Sequence, residues 1–411
     1  MSDCNTTSSP HSIASTLSLT AQNPDHDLSE SEESDYGYDC KPRLPYVKGF
    51  TFTAHRHEPP APFGIGYSTE SPLVQENWKL LSQTEYCLSQ SLLEGQTYLG
   101  EVNPLTITST IRTGYDRGAQ LVVVNDTMVA KIYDPLYYEG INEFGYREDV
   151  ITNADGDYSR EAAAYMELQN SPAAKGVTPA FHGTWTIEVE TVVGKVGQQK
   201  TNRRHVRLIL IERLLGDSME NICTAYLRRP VRSLILKKAL HAEAIICNAG
   251  VMHRDFCPRN IIVLGDEYSN PNIPIKDIKV EVKVFDFNIA SVVNHPYYEK
   301  RRSAGKGKLL KEKWHPRLVS PILRYFGHMS EFSTEGWCSD SGREADKWLW
   351  RHFRKDERFI PVIWDPNTPE KRPVYQGWND LVNGSDSGVS VSSEAKGADE
   401  RCSYSSSTRT T

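Results

Sequence analysis

No two of the eight cysteines (Cys4, Cys40, Cys87, Cys223, Cys247, Cys257, Cys338 and Cys402) stand at CxxC spacing, and no histidine lies near enough to complete a zinc set. Free thiols in a reducing compartment are therefore expected rather than a metal framework. Long apolar runs are also lacking. The first residues, MSDCNTTSSPHSIASTLSLT, have no basic start and no continuous apolar stretch, which argues against a secretion signal or a membrane span and for a soluble intracellular protein, cytoplasmic or nuclear. Charge of one sign is scarce: a net charge of -6 over 411 residues argues against a nucleic-acid binder working through overall charge, although local patches remain. There is no internal repeat.

What is present is enough hydrophobic and aromatic sequence, 38% and 10%, for one large domain with tails or for two domains. Residues 1–39, with the acidic string LSESEESDYGYD, and the Ser-rich residues 383–411 are expected to be disordered tails. Residues 40–99 read as a partly ordered extension, in which Pro42, Pro45, Pro59, Pro60 and Pro62 discourage regular structure and Gln75 to Leu93 hold one or two short helices.

From Leu105 to Asp134 short β-branched runs alternate with turn residues, predicting an antiparallel meander: Ile107 to Ile111, Ala119 to Val124 and Met128 to Tyr133, with a tight turn at Asn125-Asp126. Asp149 to Asp157 reads as loop and Arg160 to Gln169 as helix. Thr184 to Val193 and Val206 to Glu212 make another strand pair, joined by the basic loop KVGQQKTNRRH. Arg232 to Ala249 repeats apolar residues at helical spacing, with Gly250 as the cap. Two small strands follow, Asn260 to Leu264 and Val280 to Phe285, and DKWLWRHF reads as an amphipathic helix.

The most informative strings are HRDFCPRN, from His253 to Asn260, and the triplet DFN headed by Asp286 at the end of an apolar run. Together they put a carboxylate base and two magnesium ligands at the spacing that phosphoryl transfer requires. Over roughly Leu105 to Trp364 the chain resembles the eukaryotic protein-kinase superfamily. The resemblance implies an α+β, two-lobed protein-kinase-like fold: an N-lobe over 100–215 with an antiparallel sheet and one helix, and a shortened, mainly helical C-lobe over 216–382.

It also implies roles. Asp255 matches the catalytic base, and Asn260 and Asp286 match the residues that hold magnesium. Lys131 in MVAKIYD matches the lysine that grips the ATP phosphates, and Glu161 in REAAAYMEL matches its partner, with Glu148 and Glu167 as alternatives. Gly114 and Gly118 stand where a phosphate-covering loop belongs, without the family's three-glycine spacing. Ile211 matches the residue guarding the back of the adenine pocket, and Glu212 to Leu214 the backbone that meets the base. Arg254 matches an arginine that can bind a phosphate on the following segment, for which Tyr297, Tyr298, Ser303 and Ser320 are candidates.

Beyond its glycine spacing, the pattern departs from the family at three places. Cys257 stands where Ser/Thr kinases usually carry a lysine, and Arg259 offers the missing charge from two positions on. Asn288 replaces the last glycine of the magnesium triplet, and Asn tolerates left-handed backbone angles. No APE segment follows; SPILRY, Ser320 to Tyr325, is the nearest replacement. The basic run from Lys300 to Lys313 is a nuclear-import signal, an acidic-substrate site or a solvated loop. The implied activity is an ATP- and Mg-dependent phosphotransferase acting on a protein hydroxyl. The alternatives are a pseudokinase scaffold and a small-molecule kinase.

Overall fold

The computed structural model describes residues 41–67, 78–92, 95–194, 197–298, 317–368 and 371–375. The tails expected over 1–39 and 383–411, the basic run from Lys300 to Lys313, and Ser303 lie outside the described residues.

The first part of the chain is built from strands β1 (Thr51–Glu58), β2 (Gln96–Arg112), β3 (Gln120–Val124), β4 (Met128–Tyr133), β5 (Phe181–Val193) and β6 (Lys200–Glu212). They are antiparallel and close into a barrel in the order β1-β2-β3-β4-β6-β5. β3 and β4 are apolar at nearly every position and buried on both faces, as expected of strands covered by a core on one side and a helix on the other. Asn125 and Asp126 join them with φ of 49° and 60°. Two successive left-handed residues match the right-handed twist of the flanking strands.

β1 corrects the expectation that the prolines keep this region irregular. Pro45 and Pro59 bracket the stretch TFTAHRHE without entering it. Phe52 and Ala54 alternate toward the interior, and an irregularity between His55 and Arg56 shifts the inward face so that His57 continues it. β1 runs beside β2 and reaches β5 through His55–Thr186 and Arg56–Trp185, and that pairing closes the barrel.

Helices α1 (Gln83–Ser89) and α2 (Val150–Leu168) follow β1 and β4 in the chain. Ser82 and Glu85 cap α1 reciprocally. α2 begins well before the expected Arg160. Asn, Asp and Gly in ITNADGD favour turns locally, but Asp149 accepts a bond from the Thr152 N–H at 3.1 Å. Val150, Ile151, Ala154 and Tyr158 are all buried. Capping and burial outweigh the local preference, so the loop expected from Asp149 to Asp157 is a capped helix.

Beyond the short α3 (Pro172–Val177) come β7 (Gly216–Ser218), α4 (Arg229–Asn248), β8 (Val251–Met252), β9 (Ile261–Leu264), β10 (Glu281–Val284) and β11 (Ser291–Val292). Gly250, at φ +92°, ends α4. β10, β9 and β7 form a three-stranded sheet, and β11 pairs with β8. The remaining elements are α5 (Pro321–Tyr325), α6 (Ser330–Thr334), α7 (Gly342–Phe353), β12 (Val362–Ile363) and β13 (Val374–Tyr375). α5 occupies the SPILRY string, and its Arg324 makes a two-pronged ion pair with Glu243 of α4, Nε to Oε2 at 2.8 Å and Nη2 to Oε1. The 216–375 part thus carries more short strands than the mainly helical expectation. Among the described residues no helix is long and apolar enough to cross a membrane.

Candidate active site

The β-strand period puts Lys131 and Tyr133 on the same face of β4. Lys131 Nζ lies 2.5 Å from Glu161 Oε2 on α2 and also meets Asp286 Oδ1. The Tyr133 hydroxyl donates to the same Glu161 oxygen at 2.7 Å. The alternative Glu148 instead accepts a bond from Asn142. Burial alone would pull the Lys131 pKa down, but the charges of Asp286 and Glu161 outweigh it and hold it above the ordinary lysine value. For Glu161 burial wins and raises the carboxyl, whereas for Asp286 the Lys131 charge overcomes burial and lowers it.

Asp255 follows β8 in the loop before the 3-10 turn Pro258–Asn260. That turn folds Asn260 back so that its Nδ2 donates to the Asp255 carbonyl and to Oδ2, each at 2.8 Å. Arg259 Nη2 holds the other oxygen, Oδ1, at 2.5 Å. The Asp255 side chain remains 26% exposed, so the carboxylate is oriented from behind and still meets solvent. His253 is buried and accepts the Asp255 N–H on Nδ1 at 3.3 Å. Its Nε2 faces the Phe285 carbonyl at 2.9 Å, which needs a donor there. Burial lowers the His253 pKa, so the ring is neutral with its proton on Nε2.

The DFN segment is held by its own packing. Phe287 is fully buried, edge-on to Tyr165 of α2 at 5.1 Å and against the His253 ring at 4.8 Å. The left-handed residue is Asp286, at φ +67°, rather than Asn288, and Arg254 is left-handed too, at +65°. This corrects the reading of Asn288 as a glycine substitute. Its backbone carbonyl serves another purpose, accepting Arg160 Nε at 2.7 Å. A non-glycine residue persists in the left-handed region only where its surroundings over-determine it, and Phe287 and Ser291 supply packing and a hydrogen bond beside these two.

The remaining expected positions are placed less favourably. The Gly114 N–H is taken by Gln120 Oε1 at 2.8 Å, and Gln120 Nε2 donates back to the Gly114 and Gly118 carbonyls. A buried glutamine thus ties down the β2–β3 loop, and Gly114 has no amide to give a phosphate in this arrangement. Ile211 is buried at the end of β6. The Glu212 N–H is spent on the Ala180 carbonyl, and Leu214 is half-buried. Cys257 is buried and its thiol pKa is pushed up, chiefly by burial, so it is an inert packing thiol. Of the candidate phosphate acceptors, Tyr298 and Ser320 are buried and Tyr297 is 44% exposed.

Sequence reasoning missed Tyr133, Gln120 and Arg160. Tyr133 was legible from its two-residue offset to Lys131. Arg160 carries no local signal for its bonds to Phe63 and Asn288, which lie far along the chain, and Gln120 shows its role only once the β2–β3 loop has folded over it.

No family model matches the chain, and no curated protein matches it. Among solved structures the chain is similar to one described as WaaP in complex with acyl carrier protein, at 15% identity and a TM-score of 0.27, over 45% of this chain and 62% of that one. The chain therefore spans less than two thirds of that structure's length, and a likeness this faint leaves function to the site's own geometry. The mixed α/β architecture, with its six-stranded antiparallel sheet and several helices, is compatible with a protein-kinase-like fold.

Proposed function

We propose that this protein is an ATP- and Mg-dependent phosphotransferase of two-lobed protein-kinase-like fold, acting on a hydroxyl of a protein substrate. The observation that carries the reading is the convergence of Lys131, Glu161 and Asp286 on one ion-pair cluster. Three segments far apart in the chain meet there. Asp286 closely follows β10, which pairs with the strand leaving the Asp255–Asn260 turn. A buried ammonium held by one buried and one half-buried carboxylate is costly to assemble for stability alone.

The donor set fits a magnesium ion held jointly with phosphates. Asn260 spends its amide nitrogen on Asp255, which leaves the amide oxygen, and Asp286 Oδ1 meets Lys131, which leaves Oδ2. Both are hard oxygen donors. Among the described residues no group of three or more His, Cys, Asp or Glu forms a metal cage. Magnesium suits such a sparse site, because it usually takes one or two side chains and completes its shell with water and substrate phosphate. When bound, the ion neutralises charge on the transferring group.

Asp255 then acts as base. Its carboxylate, oriented by Asn260 and Arg259, accepts the proton as the acceptor O–H bond breaks and the new O–P bond forms, while the bond to the leaving β-phosphate oxygen breaks. Lys131, braced by Glu161, holds the phosphates that replace Asp286 as its second partner. Arg259 supplies positive charge beside the base where Cys257 cannot.

The test is a thermal-shift titration with ATP, with and without magnesium, followed by transfer assays on mixed protein acceptors and on small alcohols. Magnesium and ATP together should raise the melting temperature, and Asp286→Ala should abolish the magnesium-dependent part. No shift in the wild type would sink the proposal. A shift without transfer would identify a pseudokinase scaffold, and transfer only to small alcohols a small-molecule kinase.

A further inference from the structure

The short stretch that follows β1 reaches the site from outside the sheet. Pro59, Pro60 and Pro62 restrict the chain leaving β1. Gly64, Ile65 and Gly66 then turn with three successive positive φ angles, 63°, 30° and 82°. This turn lies against the region after the DFN triplet. The Ile65 carbonyl accepts the Ser291 hydroxyl at 3.0 Å, and that Ser291 oxygen in turn accepts Arg254 Nε at 2.8 Å. The Tyr67 hydroxyl accepts the Val292 N–H at 2.8 Å, and Tyr67 pairs as an antiparallel bridge with Tyr298. Tyr67 and Phe63 are buried.

Arg160 joins the same turn to α2. Its Nη1 donates to the Phe63 carbonyl at 2.9 Å, its Nε to the Asn288 carbonyl at 2.7 Å and its Nη2 to Asp157 at 2.8 Å. Arg160 is the immediate neighbour of Glu161, so the side chain that fixes α2 against the DFN segment also fixes it to residue 63. The backbone at Gly66 passes so close to Arg254 that a Cβ there would sit 2.6 Å from Nη2 and 3.0 Å from Ser291 Oγ. The positive φ favours glycine here, and a side chain would also crowd the tip of the Arg254 guanidinium.

We infer that residues 63–67 form a built-in positioning strap, which with Arg160 and Ser291 holds α2 and the 286–298 segment in the arrangement where Glu161 and Asp286 both meet Lys131. The strap is covalently continuous with the barrel through β1 and hydrogen-bonded to Ser291 and Val292, so it fixes the DFN segment relative to the sheet. Arg254 takes its partner, Ser291, within this assembly. The functional consequence rests on the phosphotransferase reading, whereas the mechanical one does not.

Two variants and two readouts separate these. Gly66→Val puts a β-branched residue at φ +82° in the strap and crowds the Arg254 guanidinium, and Arg160→Lys keeps the charge but cannot make all three bonds. Hydrogen exchange of full-length protein should rise by about tenfold or more across 286–298 in both variants, with urea midpoints showing that they remain folded. The apparent kcat should fall by about tenfold while the acceptor KM holds, as expected when a pre-arranged site is loosened and acceptor binding is retained. Unchanged exchange across 286–298 in both variants overturns the strap, and raised exchange with unchanged kcat overturns its link to catalysis. If the wild type fails to respond to Mg·ATP, the phosphotransferase reading fails, and the exchange result still decides the strap.

Discussion

Lys131 Nζ and Glu161 Oε2 lie 2.5 Å apart with both side chains almost wholly buried, at 4% and 1% exposure. Removing one member of such a pair leaves an uncompensated charge in a dry site, which is worse than removing both. Lys131→Met should therefore lower unfolding stability by about 3–5 kcal/mol. Lys131→Met with Glu161→Leu should recover part of that loss. Urea denaturation of the three proteins checks it: a double variant less stable than the single one would show that the pair is not coupled in this way.

Asp255 is fixed by interactions that an asparagine largely preserves. With its single amide oxygen kept toward Asn260 Nδ2, the substituted side chain would turn its NH2 toward Arg259 and lose that ion pair; because Arg259 is half-exposed, Asp255→Asn should change stability by only about 1 kcal/mol. Transfer should fall by about 10²–10⁴-fold, the usual contribution of a general base. Paired melting and single-turnover measurements decide the point; a large stability loss would make Asp255 a structural residue instead.

Arg324 of α5 holds Glu243 of α4, whose side chain is 1% exposed. Arg324→Ala should cost about 3–5 kcal/mol, because it strands a buried carboxylate. Arg324→Lys should cost less, since it keeps the charge while losing the two-pronged geometry. Proteolysis of the 317–353 region under native conditions gives an independent reading: faster cleavage in Arg324→Ala is expected.

His57 is fully buried, with Nδ1 2.7 Å from the Tyr158 hydroxyl. Burial, then the neighbouring Arg207 and His205, lower its pKa from 6.5 to about 3. The unfolded chain therefore takes up a proton that the folded protein refuses. The associated stability is fully present above pH 6.5 and is lost as pH falls toward 3. His57→Gln should flatten the stability profile in that window by up to about 1.4 kcal/mol per pH unit. An unchanged slope between pH 6.5 and 4 would place the acid sensitivity at other groups, His241 among them.

Several features of the fold and site were legible within short spans of chain. The Asn125-Asp126 turn, the two-residue period that aligns Lys131 with Tyr133, and the Pro258–Asn260 turn that brings Asn260 onto Asp255 are set by backbone sterics and local spacing. The bracketing prolines hid β1 because a strand's worth lies in the neighbours it buries against, and β2 and β5 are supplied by other parts of the chain. The helical start of α2 was hidden for the same reason: its Asn, Asp and Gly favour turns until Val150 and Tyr158 have a core to enter.

Other features exist only once distant segments have met. The left-handed angle falls on Asp286 and not on Asn288, beside Phe287 packed between Tyr165 and His253. Arg324 finds Glu243, and residues 63–67 dock on Ser291 and Val292. Most of these pairings join segments far apart in the chain, and each depends on one burial geometry in which a donor meets its acceptor. Composition and periodicity record which residues want burial or a partner; they do not record which partner the folded chain will bring.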